Sequence, residues 1–529
     1  MTDTRKLLTA DWALPVSAPA IYKAALVIEK NKINQVVSES ELGRFYSPDQ
    51  IEAMEETKID YGQAVIMPGL INLHTHLDIS NRHDLYYSAH DAMFQWMRQL
   101  VTGFSDWTPI DWQKSAFEGA AQSALSGTSC IIDMSFTGQS ARQLAKIGLR
   151  GVVGLELFGQ DESLAQSAWE RWLKKLEFAR QTQDEEFQQA IASGLVLLTA
   201  APHAPYTVAP ALWKLADRWC EENERPLLAH LSESKEEHEW IVAGNQELED
   251  YLLFVREWQA KLGILPYNST EAPPTPWRKK GRTPCEMLSD HGLLNKRLVA
   301  AHVVQADNRD VQLLAQNKVG IVHCPRSNTF LKNGVAPLSK FWEAGLAVGL
   351  GTDSLASNED LNMLHEAASM LDLQHLQSGD SAGDSPGANE FGGIDFAGHR
   401  FGKIEVGDEL NRGRAPKSIK QRGEVNPFHL GIKTITLDAA KVINMDERIG
   451  SLEAGKLADL AVFSLGTRGK ETDGLHWPGV EQGSVVEELL IRQNPPLIDL
   501  IVDGGWVVKE GKLVALEQKR QPAGQTKDA

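Results

Sequence analysis

Residues 64–76 read AVIMPGLINLHTH, an apolar run that ends in His74 and His76. The run Ala64–Leu73 is too short for a buried helix and rich in Val, Ile and Leu, the composition of a parallel strand covered on both faces. In an extended strand, side chains two apart point to the same side, so His74 and His76 can face one point in space. A histidine pair of this spacing is common by chance. Its meaning depends on what stands at the ends of other strands.

Seven further runs of the same kind follow: Thr128–Met134, Gly151–Leu157, Leu195–Ala201, Pro226–His230, Leu298–Val303, Val319–His323 and Leu346–Leu350. Helix-like segments such as Trp112–Leu125, Trp169–Ala179, Pro210–Glu222 and Asn308–Gln316 lie between most of them. Eight βα units in succession predict a (β/α)₈ barrel, because a doubly wound sheet seldom needs so many. In a barrel of this kind, residues at the C-terminal strand ends converge on one mouth. His230 closes PLLAH and Asp353 follows LAVGLGT, so both are expected beside His74 and His76. Three imidazoles and a carboxylate suit Zn²⁺, with Fe²⁺ or Mn²⁺ as alternatives.

Three more residues stand where acid–base groups are needed: Glu233 in HLSESKEE, His302 at the end of LVAAH, and His203 in TAAPHAPYT. A lone histidine at a strand end is more often structural. Here five of the 15 histidines share the mouth with an Asp and a Glu, which scattered placement does not produce. His323, in VHCPRSN, is read as packing beside the site, and the other histidines as surface or packing residues.

The chain ends read differently. Residues 6–15 and 24–37 look like strands, as do Leu457–Leu465 and Leu497–Leu513, the last with a hairpin turn at Gly511. Both ends are expected to pair into one small β-sandwich domain. The expected organisation is 1–63 and 446–529 in that domain, with the barrel at 64–445. Residues 376–426, rich in Gly, Ser, Asp and Arg, read as a loosely packed insertion in the barrel. A G-x-S-x-G match at Gly379–Gly383 falls inside it without the strand and helix that a nucleophile elbow needs, and is discounted. The stretch of roughly 234–296 is long enough to cover the mouth. Its Trp277, Arg278, Lys279 and Lys280 are read as solvated loop residues, with contact to an anionic group on the substrate as the alternative.

At 529 residues and 42% apolar composition the chain can build a sizeable core. Its formal charge of −18 repels phosphate backbones and anionic lipid, so a small-molecule substrate is expected, with no nucleic acid and no membrane as partners. A homo-oligomer is compatible with the same composition. No apolar run suits a signal peptide or a spanning helix, and the four cysteines are scattered without a C-x-x-C pair. The expected location is the cytoplasm.

The segments PGLINLHTHLDIS, HAPYT, HLSES, AAHVV, HCPRSNTFLKNGVAPL and GTDSLASNEDL, in this order, resemble the deaminase and chlorohydrolase branch of the amidohydrolase superfamily. The run TLDAAKVINMDERIGSLEAGKLADLAVF resembles that branch's return into its small β-domain, and the likeness spans nearly all the chain outside 376–426. The resemblance implies one divalent metal per chain, held by His74, His76, His230 and Asp353. It implies that Glu233 protonates a ring nitrogen, that His302 positions the attacking hydroxide, and that His203 touches bound substrate. Asp353 would relay the proton of the attacking water to the leaving amine.

The implied reaction is hydrolytic deamination of an aminopurine nucleoside-like substrate with release of ammonia. Asp78, Ser80, Phe94 and Trp96, after the histidine pair, are similar to the pattern of aminodeoxyfutalosine deaminases, ahead of those acting on 5′-methylthioadenosine or S-adenosylhomocysteine. The rival reaction is removal of chloride or an amine from a triazine-like ring. A rival of another class is a non-catalytic scaffold on the same fold. Glu233 favours deamination, and the complete ligand set disfavours the scaffold.

Overall fold

The computed structural model describes residues 5–86, 93–181, 184–261, 278, 280–377, 426–466 and 482–517. The expected insertion at 376–426, apart from its edges, and Trp277 and Lys279 lie outside these residues. The chain opens with strands β1 (Arg5–Ala13), β2 (Ile21–Glu29), β3 (Lys32–Ser38), β4 (Ile59–Asp60) and β5 (Ala64–Pro68). The run expected as one barrel strand, Ala64–Leu73, is therefore two. Its first half pairs with β1, and the barrel strands begin only at β6 (Leu70–Thr75). The break falls at Gly69, where a Cβ would lie 2.3 Å from Ser129 Oγ. Only glycine lets the chain cross from one sheet to the next at that point.

The other barrel strands lie where the apolar runs placed them: β7 (Thr128–Ser135), β8 (Arg150–Leu157), β9 (Val196–Pro202), β10 (Leu227–Leu231), β11 (Leu298–His302), β12 (Gly320–His323) and β13 (Val348–Leu350). Neighbouring positions alternate between two cores, as the strand period of two requires. Ile71, Leu73, Cys130, Ile132, Val152, Leu228, Val299 and Val322 share one cluster. Leu70, Ile131, Val153, Ala229 and Ile321 join the larger one, with helix residues such as Trp213 and Leu314.

The expectation of a closed eight-stranded ladder needs correction. The strands form two four-stranded parallel sheets, β6-β7-β8-β9 and β10-β11-β12-β13, in a TIM-barrel-like α/β arrangement. At one seam His230 N–H donates to the His203 carbonyl at 2.9 Å, and at the other Asp353 N–H donates to the His74 carbonyl at 2.9 Å. β13 has three residues, and Ser232, His302 and Asp353 take left-handed φ of 50°, 73° and 60°. Both seams are thus bridged by backbone bonds between candidate site residues.

The C-terminal strands β14 (Leu460–Ser464), β15 (Leu497–Val502), β16 (Gly505–Lys509) and β17 (Lys512–Leu513) join the N-terminal ones, with the expected turn at Gly511. They do so in a single nine-stranded sheet. β5 pairs with β1 on one edge and β14 on the other, which lays both chain ends along one continuous ladder.

Arg150 fastens this sheet to the barrel. Its guanidinium donates to Asp459 Oδ2 at 2.6 Å and Oδ1 at 3.0 Å, with both side chains buried. Breaking a buried pair strands a charge, at about 3–5 kcal/mol. Arg150→Ala is therefore expected to lower stability by about that much, read as a lower urea midpoint. All four cysteines are buried and free of disulfides, and among the described residues no helix is long and apolar enough to cross a membrane.

Candidate active site

All seven residues singled out in the sequence stand at the C-terminal strand ends, and all are buried. His74 is the penultimate residue of β6 and His76 follows the strand, His230 lies in β10, and Asp353 follows β13. One ligand atom from each of His74, His76 and His230 lies within 4.8 Å of the other two, and the same holds for His74, His302 and Asp353. His76 Nε2 faces His230 Nε2 at 3.1 Å, and Asp353 Oδ1 lies 3.7 Å from the Nε2 atoms of both His74 and His76. Around a tetrahedral ion with bonds of about 2.0–2.1 Å, donor atoms stand about 3.3 Å apart. Buried His74 Nε2 has no hydrogen-bond partner. These spacings and that bare nitrogen fit a small divalent cation.

The surroundings hold the donors in ligating form. His230 Nδ1–H donates to the His203 carbonyl at 2.9 Å, which leaves Nε2 with its lone pair. Burial pushes the pKa values of His74, His76 and His230 down, which favours the neutral, ligating form of each ring. Burial pushes Asp353 up, but His74, His76 and His302 outweigh it and the carboxyl is held below its usual range. Its Oδ2 accepts from Ser327 Oγ at 2.6 Å and Ser357 Oγ at 3.0 Å, and its Oδ1 from Ser354 N–H at 2.8 Å. Asn72 staples the two histidine-bearing and aspartate-bearing ends together, donating to Thr352 Oγ1 at 2.7 Å and accepting from Thr352 N–H at 3.1 Å. Gly351 permits that approach, since a Cβ there would meet His74 Cβ at 2.7 Å.

Glu233 lies just past β10, and its Oε1 is 3.7 Å from His302 Nε2 and accepts from Asn333 Nδ2–H at 3.1 Å. Burial raises its pKa, so the carboxyl keeps its proton above the usual range. His203 hydrogen-bonds Thr207 Oγ1 through Nδ1 at 2.9 Å and lies against the Phe158 ring at 4.9 Å. Phe158 in turn stacks on Phe136 at 6.1 Å, giving an aromatic wall along the ends of β7, β8 and β9.

Several residues went unread in the sequence. Ser327, Asn328 and Asn333 all come from the quoted HCPRSNTFLKNGVAPL segment, whose density of short polar residues right after a strand end was the available signal. Glu156, in β8, is buried with both carboxylate oxygens unpartnered and groups with His203 and His230. Burial pushes it up to about 8. By contrast, Asp78, Ser80 and Trp96 serve the fold. Asp78 Oδ2 accepts from Ser135 Oγ, Thr137 Oγ1 and Thr137 N–H, Ser80 Oγ donates to the Leu77 carbonyl, and Trp96 Nε1–H to the Ala356 carbonyl. Arg278 is not free in solvent either. It donates to the Trp240 carbonyl at 3.2 Å and lies over the Trp240 ring.

A sequence profile described as the amidohydrolase family matches residues 65–409 and 383–507. The 5-methylthioadenosine/S-adenosylhomocysteine deaminase of Teredinibacter turnerae is 26% identical over 529 residues, covering 98% of this chain and 96% of that protein. Among solved structures, an adenosine deaminase from Xanthomonas campestris with bound zinc superposes with a TM-score of 0.66 at 20% identity, over 97% of each chain. The aminofutalosine deaminase of Helicobacter pylori, in complex with methylthio-coformycin, gives 0.65 at 18% identity, over 95% of this chain and 100% of its own.

Proposed function

The chain belongs to the amidohydrolase family, and from that premise we propose that it is a zinc-dependent deaminase of a 6-aminopurine nucleoside. The observation that carries the reading is the convergence of His74, His76, His230 and Asp353 with a buried Glu233 3.7 Å from His302. A divalent ion held by the first four side chains supplies the Lewis acid that makes water nucleophilic near neutral pH.

The remaining chemistry belongs to the chain. Addition to an aromatic carbon bearing an amine is slow until the neighbouring ring nitrogen is protonated, and the Glu233 carboxyl holds that proton. His302 Nε2 orients the incoming water. Asp353 takes up the proton that water loses and delivers it to the departing amine. His203 and the Phe136–Phe158 wall would receive the purine and keep bulk water from it.

The names of relatives support 5′-methylthioadenosine and S-adenosylhomocysteine, while the sequence pattern after His76 favours aminodeoxyfutalosine. Three of the four residues behind that pattern make the structural bonds described above, so the proposal is for the aminopurine that all three compounds share. The test is a panel of these nucleosides, with a chlorinated and an aminated triazine, assayed on zinc-loaded protein by absorbance loss near the adenine maximum and by ammonia release. Turnover of at least one nucleoside with stoichiometric ammonia is expected. Turnover of the chlorotriazine alone would replace the deaminase reading with a chlorohydrolase one, and silence on every compound would overturn both.

A further inference from the structure

The segment after β12 enters the site three times. The short helix Pro325–Phe330 and the residues that follow it present Ser327 to Asp353, Asn328 to His302 and Asn333 to Glu233. Each of these groups is given a part in orienting the water or moving protons above, and the proposal rests on that reading for its kinetic arm. The middle contact has a definite polarity. Asn328 is fully buried and spans two histidines, with Oδ1 2.9 Å from His302 Nδ1 and Nδ2 3.3 Å from His323 Nδ1.

An amide accepts at oxygen and donates at nitrogen, so the two contacts fix two tautomers. His323 is neutral, burial having pushed its pKa down to about 3. Its Nδ1 therefore offers a lone pair to Asn328 Nδ2–H, and its proton sits on the buried, unpartnered Nε2. With Nδ2 committed to His323, Asn328 Oδ1 faces His302 Nδ1, which must carry a hydrogen. His302 Nε2 is then left bare on the side that faces Glu233. The backbone at His302 and Val303 is held at φ of 73° and 47°, in the left-handed region that a bulky and a β-branched residue avoid. The fold thus maintains this placement of the ring against a local cost.

We propose that Asn328, keyed by His323, is a positioning residue that locks His302 in the Nδ1–H tautomer, so that Nε2 meets the attacking water as a hydrogen-bond acceptor and orients it. With the opposite tautomer, Nε2 would present a hydrogen and could not accept a hydrogen bond from the water. Neither Asn328 nor His323 touches the reacting atoms.

The test uses zinc-loaded protein with ¹⁵N-labelled histidine. Two-bond ¹H–¹⁵N correlation spectra report which ring nitrogen carries hydrogen, and the His302 signals are assigned by their loss in His302→Gln. The expected result is hydrogen on Nδ1 in the parent protein. Hydrogen on His302 Nε2 overturns the proposal whether or not any nucleoside is turned over, so its failure is distinct from failure of the deaminase reading. Where a substrate is turned over, Asn328→Leu is expected to lower kcat by about 10–100-fold, the usual effect of removing such a partner. KM and zinc content should stay unchanged. Asn328→Asp keeps an acceptor for His302 Nδ1–H and should recover most of the loss. Parent-like kcat in Asn328→Leu overturns the proposal. Should either variant fail to fold, the parent spectrum decides alone.

Discussion

Glu233→Gln protein is expected to keep its metal and to lose about 10²- to 10⁴-fold in kcat, the range of a general acid or base. The side chain is the same size and can still accept from Asn333 Nδ2–H at Oε1. Glu233 is also not among the residues whose donor atoms converge on the candidate ion. What the variant lacks is a proton to give. A glutamine amide cannot protonate a ring nitrogen, so addition to the aromatic carbon should become the slow step.

The pH profile provides a second check on this variant. Burial raises the Glu233 pKa, so the parent is competent while the carboxyl is protonated. Its activity should fall as pH rises through that raised value. The residual activity of Glu233→Gln should lack this alkaline limb. A glutamine variant with parent-like kcat would show that another group protonates the substrate.

Asp353→Ala and His230→Ala should each lose most of the metal and all measurable turnover, against about one zinc per chain in the parent by elemental analysis. Neither loss is local to one bond. Asp353 is the acceptor for Ser327, Ser357 and Ser354, so its removal takes away three buried hydrogen bonds at once. His230 is fixed from behind by the His203 carbonyl, and alanine there removes both that bond and the nitrogen facing His76. Full metal occupancy in both variants would remove the proposed site, whatever happened to activity. Loss of activity with full metal would instead assign the two residues to substrate or proton handling.

Much of this was open to reading along the chain. Short Val/Ile/Leu runs mark strands buried on both faces because burial on each side demands apolar residues at every position, and those runs located β7 to β13. His74, His76, His203, His230, His302 and Asp353 could be found because each stands at or just past a run's end, and parallel strands bring their C-terminal ends to one side. Those inferences need only local periodicity and direction.

Three features depended on contacts between distant segments. The first run divides at Gly69 because Ser129, sixty residues on, leaves no room for a side chain there. The parallel ladders stop between β9 and β10 and between β13 and β6, where backbone bonds from His230 to His203 and from Asp353 to His74 bridge the seams. Ser327, Asn328 and Asn333 became readable only when the helix after β12 was seen against β10, β11 and β13. A polar side chain's role is set by which donor or acceptor meets it across space, and no period in the sequence encodes that. The sequence by itself determined the strands, the mouth and the residues gathered there. The tertiary structure decided the seams of the sheets and which donor or acceptor meets each gathered residue.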